Sequence, residues 1–208
     1  MEPPGATILR PPAREALGGL ALERWRPEDE PALFDAISQS IGHLRPWMVF
    51  AADHTHESVE RFLSGSEEGW RQGSRFEYAL RNPRGEILGS AGLMGRIGPG
   101  GLEIGYWVHA AHIRRGVASL AAALLSEMAL ALDTVEHVEI HHDEANLASG
   151  AVPARLGFRE LGSFAAERRA PADIGRDIRW RMDAEAFAGS PAMALLRSAG
   201  LSPRPGGA

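Results

Sequence analysis

From Arg114 onward, apolar side chains recur at Val117, Leu120, Ala121, Leu124, Leu125, Met128, Ala129 and Leu132. These positions fall on one face of a helix. So long an apolar stripe must lie against a sheet or other helices, which excludes a small or loosely ordered fold. The residues just before it have a different period. Leu102, Ile104, Tyr106 and Val108 alternate with Glu103, Gly105, Trp107 and His109, so Leu102–His109 reads as a strand with two chemically distinct faces. Arg75–Arg81 and Glu86–Gly95 read as two further strands, joined through the turn Asn82-Pro83-Arg84-Gly85. A strand meander feeding directly into a long helix is the centre of the chain.

Leu20–Arg26 alternates and stops at Pro27, which predicts a first strand. Pro27-Glu28-Asp29-Glu30 is an acidic, proline-led helix start, followed by Leu33, Phe34, Ile37 and Ile41 at helical spacing. Arg45-Pro46 breaks that helix, and Trp47–Phe50 is apolar but too short to classify. Thr55 is placed to cap a second helix through Val59, Phe62 and Leu63. Beyond the central helix come a strand (Val135–His142), a short helix (Leu147–Leu156, ended by Gly157), strands at Phe158–Ala165 and Asp177–Met182, and a helix at Ala184–Ala199. That order is α/β with a mixed sheet. Residues 1–19, with Pro3, Pro4, Pro11 and Pro12, are expected to be a flexible N-terminal extension. Residues 20–184 form the domain, and 185–208 a C-terminal helix and Pro/Gly tail.

Composition narrows the chemistry. The absence of cysteine rules out thiol nucleophiles, Cys-ligated zinc, Fe–S ligation and disulfides. A net charge of −5 provides no overall field to draw nucleic acid or an anionic membrane. No apolar run approaches the ~18 residues of a membrane span, so a cytoplasmic protein is expected. His137, His141, His142 and Asp143 lie close in sequence, but His141 and His142 point to opposite faces of a strand, so no metal site is expected. His109 and His112 read as solvated loop residues and Arg168-Arg169 as solvated charge, while Leu120, Leu124 and Met128 are core.

Ile113–Ser119 opens the central helix. A helix N-terminus directs unpaired N–H groups and partial positive charge outward, which suits a phosphate. Gly116 and Ala118 let a ligand approach the backbone, and Arg114 and Arg115 add charge. A solvated helix start with two surface arginines accounts for the same residues. There is no GxxxxGK[ST], and no GxGxxG follows a strand, so P-loop and Rossmann readings fall away.

Four motifs occur in order: E-I-G-Y-W (Glu103–Trp107), R-R-G-V-A-S (Arg114–Ser119), D-x-x-N-x-x-S (Asp143–Ser149) and L-G-F (Leu156–Phe158). Across residues 20–183 the chain resembles the GCN5-related N-acetyltransferase (GNAT) superfamily, and in particular its RimJ/RimL-type ribosomal-protein N-terminal acetyltransferase branch. Ile113 stands where that superfamily often has Gln or Arg. The resemblance implies a twisted, splayed mixed sheet of about seven strands flanked by about four or five helices. It implies that the amides of Arg114, Arg115, Gly116, Val117, Ala118 and Ser119 bind the pyrophosphate of acetyl-CoA. Asn146 would bond the pantetheine arm, Ser149 would sit by the sulfur, and no metal takes part. Partners would be an acyl-CoA and an amine acceptor, with the chain a monomer or homodimer.

Glu103 would be the general base, acting directly or through water; the bland alternative is a solvated outer-face carboxylate. Gly105 beside it is expected to leave room above the sheet. Ser149 would protonate or hydrogen-bond the leaving thiolate, or is an ordinary first-turn serine. Pro153 cannot donate to the Ser149 carbonyl, which is expected to face the thioester channel. Trp47 and His54 are candidate acceptor contacts, although Trp47 and Phe50 would equally plug the core. The acceptor is expected to be a protein N-terminal α-amine. A small-molecule amine, another donor such as succinyl-CoA, and a catalytically silent CoA-binding module are the alternatives.

Overall fold

The computed structural model describes residues 9–202. Its strands are β1 (Arg14–Leu17), β2 (Leu20–Arg24), β3 (Arg75–Arg81), β4 (Ile87–Met94), β5 (Gly101–Val108), β6 (His137–Asp143), β7 (Arg159–Ala165) and β8 (Arg176–Asp183). Its helices are α1 (Glu30–Leu44), α2 (His56–Gln72), α3 (Val117–Leu130), α4 (Leu147–Leu156), α5 (Ala184–Phe187) and α6 (Pro191–Ser198). The strands form one sheet in the order β1-β2-β3-β4-β5-β6-β8-β7. All neighbours are antiparallel except β5 and β6. None of the described helices is long and apolar enough to cross a membrane.

The amphipathic pattern at 117–132 becomes α3, which covers one face of the sheet. Leu124 and Leu125 are fully buried there against Leu102, Ile104, Val138 and Ile140. Each such leucine contributes roughly 1.5–3 kcal/mol relative to exposure. Trp107, with its side chain on the opposite face of β5, joins Leu33 and Ile37 of α1 and Val59 and Leu63 of α2 in a second cluster. The sheet is therefore sandwiched, and Glu103 lies on the α1/α2 side. Thr55 caps α2 as expected, accepting from the Ser58 amide at 3.1 Å.

Two expectations about the ends are corrected. Residues 14–17 are not a flexible extension: they form β1, which pairs with β2 through a two-residue turn. Gly18 and Gly19 supply that turn with φ of +58° and +80°, the left-handed geometry whose twist suits an antiparallel hairpin. Arg10 Nε donates to the Trp70 carbonyl and Tyr78 Oη to that of Pro12, anchoring the approach to β1. The helix expected over Ala184–Ala199 is two helices. Ser190 interrupts it, caps α6 by accepting from the Met193 amide, and precedes Pro191 at the first helical position. Residues 1–8 and 203–208, the start of the expected extension and nearly all of the Pro/Gly tail, lie outside the described residues.

One feature of the sheet positions the site. The parallel pair β5–β6 is in register only from Gly101–His137 to Glu103–Glu139. Beyond that point β5 stays with β4 as far as Val108 and β6 stays with β8 as far as Asp143. The two strands part into a fork with Glu103 at its apex.

Candidate active site

The chain leaves the open end of β5, makes one 3-10 turn at Ala110–His112, and enters α3 through Arg114 and Gly116. Arg114 has φ +58°, unique among the described non-glycine residues, and Gly116 has φ +80°. These left-handed residues turn the backbone so that none of the amides from Arg114 to Ser119 donates to another described residue. Arg155, on α4, donates through Nη1 to Ser119 Oγ at 3.1 Å, which brings a further guanidinium to the first turn of α3. His109 is not the solvated loop residue expected: it is 8% exposed and caps the 3-10 turn through Nδ1, which accepts from the Ala111 amide. Burial, and then the neighbouring His112, holds its pKa below the usual histidine value.

Across the fork, Asn146 Oδ1 accepts from the Ser149 amide at 3.1 Å and caps α4. That leaves the Asn146 amide group, rather than its oxygen, to face a ligand. Tyr106 reaches over from β5, and its hydroxyl donates to the Ser149 carbonyl at 3.1 Å and lies 3.5 Å from Ser149 Oγ. The carbonyl that Pro153 leaves without a helical donor is therefore engaged by tyrosine. One hydrogen bond ties β5 to the helix that follows β6. Burial pushes the Tyr106 phenol up to about 12, so it is a donor across the physiological range.

At the apex, Glu103 is 6% exposed, which disposes of the solvated outer-face alternative. Arg96 grips both carboxylate oxygens, Nε at 2.7 Å from Oε2 and Nη2 at 2.6 Å from Oε1. His141 Nδ1 stands 3.7 Å from Oε2. Arg181 and His141 in turn pair with Glu139. Burial alone would raise the Glu139 carboxyl, but those two hydrogen bonds hold it below the ordinary range. Glu103, Glu139 and His141 line a charged cavity of about 500 Å³.

Trp107, on the same face of β5 as Glu103, lines a separate apolar pocket of about 240 Å³ with Phe50 and His54. His54 is fixed there by Ser38 Oγ at 2.8 Å and by stacking on Phe34. Trp47 is half-buried and lines neither space. The room expected above Gly105 is filled in part by the Met94 methyl, 2.9 Å from where a Cβ would stand.

A family model for the GNAT acetyltransferase domain matches residues 19–159. The chain belongs to the GNAT acetyltransferase family. Among curated proteins no relative matches it. Several solved structures share this GNAT fold. Mycobacterium smegmatis RimJ, in complex with a CoA disulfide, superposes with a TM-score of 0.76 at 23% identity, covering 89% of this chain and 92% of that one. RimL, a ribosomal L7/L12 α-N-protein acetyltransferase in complex with coenzyme A, gives 0.74 at 19% identity, covering 84% and 98%. The ribosomal-protein-S5-alanine acetyltransferase of Vibrio fischeri gives 0.72 at 15% identity, covering 85% and 99%.

Several residues of this GNAT domain were invisible to sequence reasoning. Arg96 lies in a loop with no motif around it, and Arg155 stands just outside the L-G-F motif. Arg169 is exposed, as expected of solvated charge, but it is also paired: its Nη2 lies 2.9 and 3.2 Å from the two Asp177 oxygens, at the rim of the charged cavity. The loop carrying Arg169 is joined to the end of α1, where the Ala172 amide donates to the Pro46 carbonyl. Glu77 is a further, partly buried carboxylate on the Glu103 face, in the cross-strand row Glu77, Gly92, Gly105. Burial pushes its pKa up against the pull of Arg75 and Arg96. A glutamate inside an otherwise apolar strand was the signal available for it.

Proposed function

We propose that this GNAT domain transfers the acetyl group of acetyl-CoA to an amine by direct attack in a ternary complex, with a protein N-terminal α-amine as acceptor. The reading is carried by one observation: a fork between β5 and β6 that starts at Glu103 and runs toward a loop of undonated amides around Gly116. When bound, acetyl-CoA supplies an activated acyl carbon, so no enzyme nucleophile is needed. Amides 114–119, with Arg114, Arg115 and Arg155 around them, fit a diphosphate. The unpaired edges of β5 and β6 suit an extended chain of amides, as an added strand would. Asn146 would donate its amide to that chain.

In this reading Glu103 takes the proton of the attacking ammonium. An α-amine ionises near ~7.7–8.0 and a lysine amine near ~10.4, so a carboxylate base suffices for the former. Ser149, held by Tyr106 and Asn146, stands at the thiol end. The apolar pocket with Trp107 and His54 and the charged cavity flank the acceptor's approach. Ribosomal-protein acceptors, such as those named for the relatives, would put the reaction in the cytoplasm.

The test is thiol release from acetyl-CoA, measured with a panel of peptides, lysine side-chain amines and small amines. Release with free α-amino peptides is expected. Release confined to small amines, or CoA binding with no turnover at all, would replace this reading. A second expectation concerns Tyr106→Phe. Loss of its hydroxyl frees the Ser149 carbonyl, and kcat should fall roughly 10-fold with little change in the KM for acetyl-CoA. Steady-state kinetics in both substrates checks this; a change confined to KM would mean that Tyr106 only shapes the binding slot.

A further inference from the structure

The charged cavity beside Glu103 holds one cation without an acidic partner. Four arginines line it, and three are matched: Arg96 with Glu103, Arg181 with Glu139, and Arg169 with Asp177. The Arg179 side chain makes no hydrogen bond or ion pair with any described residue. Its Nε is buried without a partner, and its guanidinium rests 4.5 Å from the centroid of the Phe164 ring. Every carboxylate lining the cavity is already taken by another guanidinium, so none among the described residues there is left to neutralise it.

Its place follows from the register. Arg179 sits opposite His141, and Arg181 opposite Glu139, which in turn sits beside Glu103. Arg179 therefore faces the same side as Glu103 from two strands away, roughly 10 Å across the sheet. Two long side chains converging from that separation leave space for a small bifunctional group. An amine directed at Glu103 would place a substituent a few bonds away against Arg179. A guanidinium fork matches a carboxylate in shape and charge. Meeting one would also let Arg179 turn off Phe164 and satisfy its orphaned N–H.

We infer that Arg179 binds a carboxylate that the amine acceptor carries into this cavity, so that the enzyme selects α-amines whose first residue is Asp or Glu. The inference rests on the proposed transfer to an α-amine and adds a specificity determinant to it. The acceptor is preferred to the donor as the source because β8 lies beyond β6, a full strand spacing away from the fork.

The experiment compares two peptides, identical except for Asp or Asn as first residue, with acetyl-CoA and the full-length protein. The wild type should favour the Asp peptide by roughly 10- to 100-fold in kcat/KM. Arg179→Gln should bring that ratio close to one, and Arg179→Lys should keep part of it, with melting temperatures near wild type because Arg179 anchors no described group. A wild-type ratio near one, or an Arg179→Gln variant that slows both peptides equally, overturns the inference. So does a variant that loses a preference for succinyl-CoA over acetyl-CoA with the Asp:Asn ratio unmoved, because the carboxylate then belongs to the donor. If neither peptide is acetylated, the α-amine reading fails separately. Calorimetric binding of the N-acetylated Asp and Asn peptides to the CoA-loaded protein then decides the role of Arg179. Tighter binding of the acid, lost in Arg179→Gln, supports it, and equal binding overturns it.

Discussion

Replacing Glu103 with alanine should lower kcat by roughly 10²–10⁴ while leaving the protein folded. The carboxylate sits at the fork apex, where an acyl carbon and an amine would meet, and it lines the cavity an acceptor would enter. In the resting structure both its oxygens are held by Arg96, so it accepts a proton only when that contact yields. Arg96 can yield: its side chain is 58% exposed and can turn into water. The same exposure means that losing the pair should cost little stability, so a fall in rate would not reflect unfolding. The pH dependence separates a base from a bystander. Without the carboxylate, turnover must wait for the amine to ionise unaided, so the variant should regain rate as pH rises through ~8, the range of a free α-amine. Activity lost by the same factor at every pH would remove Glu103 from the proton path.

Gly116→Val should weaken CoA binding by about 100-fold. Gly116 has φ +80°, which a β-branched residue adopts only under strain. Nothing stands within 4 Å of where its Cβ would project, so no clash adds to the backbone strain. The strain would tilt the donor amides on either side of it. Gly116→Asn, which tolerates left-handed geometry far better, should lose much less affinity. Titration calorimetry with CoA, with circular dichroism as a check on folding, measures both. A valine variant that binds CoA as tightly as wild type would mean that the phosphates are held elsewhere.

Residues whose roles depend on local periodicity were legible in the sequence. The α3 stripe, the alternation of β5, the cap at Thr55 and the proline-terminated turns all appear where their patterns place them. So does the separation of His141 from His142, which follows from the pleat alone. Glu103, Asn146 and Ser149 could be singled out because they fall in motifs at fixed spacing. Strand β1 was missed because prolines around it resembled a disordered leader and its four residues are too few for a period. The Gly18-Gly19 pair that makes it a hairpin was there to be read.

The amino-acid order by itself determined the kind of layers, the face each strand turns to the core, and the glycine and helix start that open a set of amides. Those depend on interactions within a few residues. Only the tertiary structure decided that Arg96 holds Glu103, that Tyr106 bridges to the carbonyl left free by Pro153, and that Arg179 alone among the cavity's arginines goes unmatched. Each of these depends on which side chains distant strands and loops bring within hydrogen-bond range. A charge is free or satisfied only in relation to neighbours that the linear chain does not specify.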